Sequence, residues 1–405
     1  MKNTEQKIPA LRFPEFSGEW EEKRLGEIGV FTGGGTPSTA NNDLWNGTIP
    51  WVSSSDILED NILDVNISRY ITKEALASSA TKVVPPNSIL IVSRVGVGKL
   101  AINRIPLCTS QDFLNLTPST ANFLFLAYLL SSNKSKLKSL EQGTSIKGFV
   151  KEDFIKLKNN FPSLPEQQKI ADFLSVVDKR LQLLKDKKTK LEEYKRGVMQ
   201  RIFSQELRFT RPDGSAYPDW EEKKLGEMGF FTSGTGFSEK EQGGVSGIPF
   251  YKVSDMNMPE NIQIMQKANN YVSDKQIIDN RYKVIKKPSI IFAKVGAAIF
   301  LERKRVANNF LIDNNMMSFT PAGNIMFFFQ LFQTIHLSKF AQVGALPSYN
   351  ASDVSSIRII IPTSEDEQRQ IADFLSAIDD KISLLNQQIA STEQYKKGLL
   401  QQMFV

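Results

Sequence analysis

Two stretches of the chain carry apolar residues on alternating four- and three-residue steps. In the first these are Ile170, Leu174, Val177, Leu181, Leu184, Leu191, Val198 and Ile202, interrupted at Lys188 and Lys195. In the second they are Ile371, Leu375, Ile378, Ile382, Leu385, Ile389, Leu399 and Met403, interrupted at Thr392 and Lys396. This spacing predicts two long helices with a coiled-coil seam kept over nearly five heptads, each about 60 Å long at ~1.5 Å per residue. Pro165 suits the start of the first, where a missing N–H costs nothing. Such a stripe can pack on its own domain, but two of equal length in one chain favour pairing with each other. Charge agrees. Residues 166–206 hold ten Lys/Arg against seven Asp/Glu, and residues 365–405 hold four against seven. Opposite signs favour the mixed pair over self-pairs.

The regions before each helix, about 10–160 and 215–360, alternate differently. Short β-rich runs occur at Ile49-Pro50-Trp51-Val52 and Ser88-Ile89-Leu90-Ile91-Val92, echoed by Ile248-Pro249-Phe250-Tyr251 and Ser289-Ile290-Ile291-Phe292. Apolar helical stretches follow at 121–140 and 324–342, and loops are punctuated by Gly33-Gly34-Gly35, Gly96, Gly98, Gly143, Gly234, Gly296 and Gly344. The echoes belong to a repeat of about 200 residues: Trp20-Glu21-Glu22-Lys23 returns as Trp220-Glu221-Glu222-Lys223, and Ile170-Ala171-Asp172-Phe173-Leu174-Ser175 as Ile371-Ala372-Asp373-Phe374-Leu375-Ser376. A period that long is a whole domain plus a connector copied in tandem. The expected fold is α+β and pseudo-twofold, with two tandem mixed α/β domains separated and joined by two long antiparallel coiled-coil helices. Its boundaries are 1–164, 165–206, 207–363 and 364–405.

Bulk composition changes this picture little. The 405 residues are 41% hydrophobic and 23% charged, as in ordinary globular proteins, and the net charge of +6 fits a polyanionic partner without requiring one. A single cysteine, Cys108, excludes an internal disulfide framework and points to a reducing compartment. The start has no apolar signal core, and the longest apolar stretches, Phe123–Leu130 and Ile325–Phe332, fall far short of a bilayer span. A cytoplasmic location with no membrane contact is expected.

Catalytic constellations are thin. His336 is the only histidine and lies in an apolar stretch expected to be helical, so a core or surface role is favoured over a general base or metal ligand. One Cys and one His cannot build a usual zinc site. Val95-Gly96-Val97-Gly98-Lys99-Leu100 misses the first glycine and the Ser/Thr of a phosphate loop, and its echo Val295-Gly296-Ala297-Ala298 loses the lysine. Asp213 with Glu222-Lys223-Lys224 has the look of a metal-nuclease cluster, but Glu22-Lys23-Arg24 in the first half replaces the last lysine. No catalytic or metal residues are assigned.

Binding chemistry remains. Basic residues gather near the glycine loops: Arg94, Lys99, Arg104 and Lys147 in the first half, and Lys252, Lys294, Arg303, Lys304 and Arg305 in the second. Arg and Lys clamp phosphates and read guanine edges. Polar Thr36, Ser38, Ser53, Ser54, Ser55, Gln111, Asn308 and Asn309 can face bases from the same loops. The frame residues repeat while the loops between them diverge, as expected if each half recognises something different.

These residues, in this order and twice over, resemble the specificity subunit of type I restriction-modification systems. The similar elements are Gly34-Gly35-Thr36-Pro37-Ser38, Ile49-Pro50-Trp51-Val52, the Arg94–Lys99 loop, and Gly143 through Leu164-Pro165-Glu166-Gln167 into Ile170-Ala171-Asp172-Phe173-Leu174. The second copy departs from them: Ser233-Gly234-Thr235-Gly236-Phe237 replaces the first element, and Ser364-Glu365-Asp366-Glu367-Gln368 the last. The resemblance implies two target recognition domains, each reading half of a split double-stranded DNA sequence, with the helices as a ruler. It also implies a non-catalytic chain partnered by two methyltransferase subunits and, in some systems, two translocase–nuclease subunits. S-adenosylmethionine, ATP and Mg are then expected in the partners. Two rivals are a self-contained metal-dependent nuclease and a coiled-coil scaffold without a DNA role.

Overall fold

The computed structural model describes residues 7–59, 61–142, 148–342 and 346–405. They form two compact units, one of residues 1–185 with 387–405 and one of residues 186–386.

In the first unit the run Ile89–Val92 is buried at every position, which explains why it reads as continuous rather than alternating. It lies inside a four-stranded antiparallel sheet of order Gly29–Gly33, Phe113–Pro118, Ile89–Val92, Leu100–Ile102. A second, mixed sheet has the order Arg69–Ile71, Ile49–Val52, Leu107–Thr109, Val83–Val84. A two-stranded ladder pairs Glu21–Arg24 with Lys158–Phe161. The second unit repeats the plan. Its four-stranded sheet runs Gly229–Ser233, Met316–Pro321, Ser289–Ala293, Lys304–Ala307, beside a three-stranded sheet built on Ile248–Tyr251 and a ladder of Trp220–Lys224 with Arg358–Pro362.

The apolar helices are shorter than their stretches. Phe123–Ser132 starts where the Asn122 carboxamide oxygen accepts the Leu124 and Phe125 amides, and a separate turn of helix covers Lys134–Ser139. Ile325–Thr334 is capped in the same way by Asn324 and ends because Ile335 is extended. His336 therefore lies outside the helix and is exposed, a correction to its helical placement.

The long stripes form the helices Leu164–Phe203 and Glu365–Gln402. Their apolar residues do two jobs at once. In the first unit Ile170, Leu174 and Val177 share a core with Leu399 and Met403 of the C-terminal helix and with Phe125, Leu129 and Phe161 of the α/β layer. In the second unit Val198, Met199 and Ile202 share a core with Ile371, Leu375 and Ile378 and with Phe328 and Phe332. Leu181 and Leu385 are buried, whereas Leu184, Leu191, Ile382 and Ile389 are only half-buried. Packing on the home domain and pairing between helices are thus one core in each unit. Among the described residues no helix is long and apolar enough to cross a membrane.

Candidate nucleic-acid interface and its frame

Each unit is locked by a buried carboxylate at the head of its long helix. In the first, Glu166 accepts two hydrogen bonds from the Arg12 guanidinium at 2.8 Å each and one from the Trp20 indole at 3.3 Å. In the second, Glu367 accepts Arg208 at 3.2 and 3.0 Å and the Trp220 indole at 3.1 Å. Glu166 holds the Arg12 guanidinium more firmly protonated than usual. The next residues match too. Gln167 donates to the Pro162 carbonyl at 2.8 Å and Gln368 to the Pro362 carbonyl at 3.0 Å. The second copy's departure from Leu-Pro-Glu-Gln therefore keeps the two residues that carry the geometry.

Two of the lysines that interrupt the stripes are also explained. Lys396 reaches Asp178 at 2.6 Å in the first unit, and Lys195 reaches Asp379 at 2.6 Å in the second. Asp178 also accepts the Tyr128 hydroxyl at 2.7 Å, and Asp379 the Gln330 amide at 2.7 Å. Burial, then the Asp178 charge, push the Tyr128 hydroxyl far above its ordinary range.

On this frame the glycine loops close against a neighbouring strand. A side chain at Gly34 would collide with the Ser110 carbonyl, and one at Gly234 with the Asp313 carbonyl. The following amides make equivalent bonds, Gly35 to the Thr109 carbonyl at 2.8 Å and Thr235 to the Ile312 carbonyl at 2.9 Å. The altered sequence of the second copy keeps the loop geometry.

The candidate side chains fall into groups. Thr36 donates to Gln111, Ser38 is exposed, and Ser54 is half-exposed in a turn next to Ser53. That turn holds an unforeseen cluster: Arg69 binds Asp56 at 2.6 Å, touches Ser53, and lies 4.6 Å over the Trp51 ring. Burial would raise the Asp56 carboxyl, but the Ser53 amide and Arg69 outweigh it and hold it below its ordinary range. Arg94 is exposed beside Gly148, and Lys99 is half-exposed after the turn whose Gly96 and Gly98 take φ of +110° and +93°. Lys147 and Gly143 lie outside the described residues, as does Gly344. Arg104 sits elsewhere, over the Phe123 ring at 5.3 Å and in a cleft shared with Asp178 and Lys185 of the central helix.

In the second unit Lys252 donates to Gln242 at 2.6 Å over the Phe237 ring, and Lys294 and Arg303 are half-exposed. Two of the basic candidates have other work. Lys304 is 2% exposed, bound to Glu302 at 2.6 Å and to the Ile335 carbonyl at 2.9 Å. Arg305 turns inward to the carbonyls of Asn261, Lys304 and Met256. They are neighbours on the strand Lys304–Ala307, where no position is exposed, and a run of three cations does not show that both faces of this strand are covered. They are corrected from DNA contacts to internal braces.

The acids proposed for a nuclease are engaged separately. Asp213 accepts the Ser215 amide and hydroxyl, and Glu222 pairs with Arg358. Among the described residues no three His, Cys, Asp or Glu converge as a metal site.

The family profile described as type I restriction modification DNA specificity domain matches residues 17–193 and again 217–394. The MjaIX type I restriction enzyme specificity subunit of Methanocaldococcus jannaschii is 26% identical over 370 residues, covering 85% of this chain and 83% of that protein. The EcoR124I/EcoR124II specificity subunit of Escherichia coli is 35% identical over 180 residues, 42% of this chain and 43% of that one. The crystal structure of the type I system S subunit from M. genitalium shares the fold, with a TM-score of 0.63 at 16% identity over 98% of this chain and 99% of that one. With two profile matches spanning most of its length, the chain belongs to the type I restriction modification DNA specificity family.

Proposed function

We propose that this chain is the sequence-reading subunit of a type I restriction-modification complex, with each unit reading one half of a bipartite DNA target. The observation that carries this is the contrast within the repeat. The carboxylate clasp, the seam ion pair and the glycine closure recur in both units, while the loop side chains between them differ. The domains are 1–164 and 207–363, joined by the helical segments 165–206 and 364–405. Thr36, Ser38, Ser54, Arg94, Lys99 and, in the second unit, Lys252, Lys294 and Arg303 are the candidate DNA contacts. Arg104, facing the central helix, is the weakest of the set.

The chain itself does no chemistry. Two methyltransferase subunits, carrying S-adenosylmethionine, supply it, and in restricting systems two ATP- and Mg-dependent translocase–nuclease subunits join them in the cytoplasm. Docking of a partner twice is supported by matched outward residues on the long helices. Leu183 and Leu384 are exposed, as are Tyr194 and Tyr395, each pair at equivalent positions of the repeat.

The test is methylome sequencing of cells carrying this chain and its methyltransferase. Exchanging residues 215–360 for those of a relative changes one half-site and leaves the other intact. An equal insertion in both helices, between the two seam ion pairs, changes the spacer and neither half-site. Two altered halves, or an unchanged spacer, would refute the division of labour.

A further inference from the structure

We infer that the second unit meets its half-site through an apolar tip, Phe300 and Leu301, that packs against thymine methyl groups; this rests on the DNA reading proposed above. The tip follows the strand Ser289–Ala293 in a short 3₁₀ turn, Ala297–Leu301. Phe300 and Leu301 are 59% and 54% exposed, and Leu346, which lies over Gly296, is 63% exposed. Two adjacent large apolar side chains held in water by an ordered turn are a candidate contact surface.

The tip is held in place. Gly296 and Glu302 take φ of +78° and +50° at its two ends, and Ile299 is buried between them. The Gly296 amide donates to the Pro347 carbonyl at 2.8 Å. The Glu302 carboxylate accepts the amides of Leu337 and Ser338 at 3.2 and 2.8 Å and the Lys304 ammonium at 2.6 Å. The buried lysine therefore acts as a brace beneath the tip.

What surrounds the tip selects its partner. Lys294 and Arg303 are half-exposed on either side in sequence, and Lys339 is exposed on the turn packed against it. An apolar tip within a cationic rim fits duplex DNA, with phosphates at the edge and methyl groups in the groove. The first unit presents a different chemistry at the same place. After Ile89–Val92 come Arg94 and Lys99, and the Lys138 side chain lies against Gly98 on a helix that also bears Lys134 and Lys136. Cations suit phosphates and guanine edges, whereas Phe and Leu can distinguish only the base that carries a methyl group, thymine.

The test uses the full chain with its methyltransferase subunits and a randomised duplex library, sequencing the methylated sites. One half-site is expected to favour thymine. F300A/L301A relaxes those positions alone, and replacing each thymine by deoxyuridine weakens the unaltered complex about fourfold, the worth of one buried methyl. Deoxyuridine without effect overturns the inference, and that arm does not depend on a variant folding. So does a double variant that binds the methyltransferase more weakly while the sites still methylated keep the same sequence, which would make the tip a protein contact. Absence of any preferred sequence with the unaltered protein would instead overturn the DNA reading itself.

Discussion

Lys195 Nζ lies 2.6 and 2.7 Å from the two carboxylate oxygens of Asp379, bonded to both. The side chains are 13% and 7% exposed, so neither charge has water as an adequate substitute. Removing one partner strands the other. Lys195→Met is expected to destabilise the second unit by ~3–5 kcal/mol in urea unfolding, and Lys195→Met with Asp379→Leu to recover only part of that loss, because the buried Gln330 amide then loses its acceptor. A single variant as stable as the wild type would show that the pair is solvated.

The carboxylate clasp allows a graded version of the same measurement. Arg208→Met leaves the Glu367 side chain, which is 0% exposed, with only the Trp220 indole as a side-chain donor. The expected loss is again ~3–5 kcal/mol. Trp220→Phe removes a single donor to the carboxylate and costs about 1.5–3 kcal/mol for the hydrogen bond, plus the packing lost from the ring. A reversed order would mean that the indole, not the guanidinium, holds the helix head.

Acid tests the brace beneath the apolar tip. Burial alone would raise the Glu302 carboxyl, but the Lys304 ammonium and the Ser338 amide outweigh it and hold it below its ordinary value. A depressed carboxylate stabilises the fold above its unfolded pKa, and that contribution fades as pH falls through the folded one. Thermal unfolding from pH 7 to 3 should show the wild type losing stability below about pH 4.5. Glu302→Gln starts lower and falls less. Parallel curves would remove Glu302 from the account.

Residues 1–206 alone contain every partner the seam requires, because Asp178 and Lys195 sit at the repeat positions of Asp379 and Lys396. Two copies of that fragment can form both buried pairs, and Val198 and Ile202 take the places of Leu399 and Met403. The surplus of positive charge on residues 166–206 opposes the encounter. The fragment is therefore expected to dimerise more tightly as salt screens that repulsion, which light scattering can follow. A monomer at all salt concentrations would show that the C-terminal helix supplies something the central one lacks.

The helices, the repeat and the main strands were legible in the sequence because period and composition report burial directly. The clasp was only half legible. Trp20 and Trp220 stand out, but Arg12 and Arg208 lie 196 residues apart while the rest of the frame repeats at 200–201, so no ungapped alignment of the halves brings them together. Lys195 and Lys396 looked like flaws in a stripe because their partners are on another helix. Lys304 and Arg305 looked like a basic patch because a three-residue run does not reveal which side chains a strand turns inward. Phe300 and Leu301 carry no sequence mark of a surface role, since apolar residues in a mixed region are expected to be core.

The carboxylate clasp and the seam make no use of the loop side chains proposed to touch DNA. What holds each unit together and what each unit recognises are written in different residues. A lineage could then rewrite one loop set after another without having to rediscover how to fold, and each new target would begin from a sound protein.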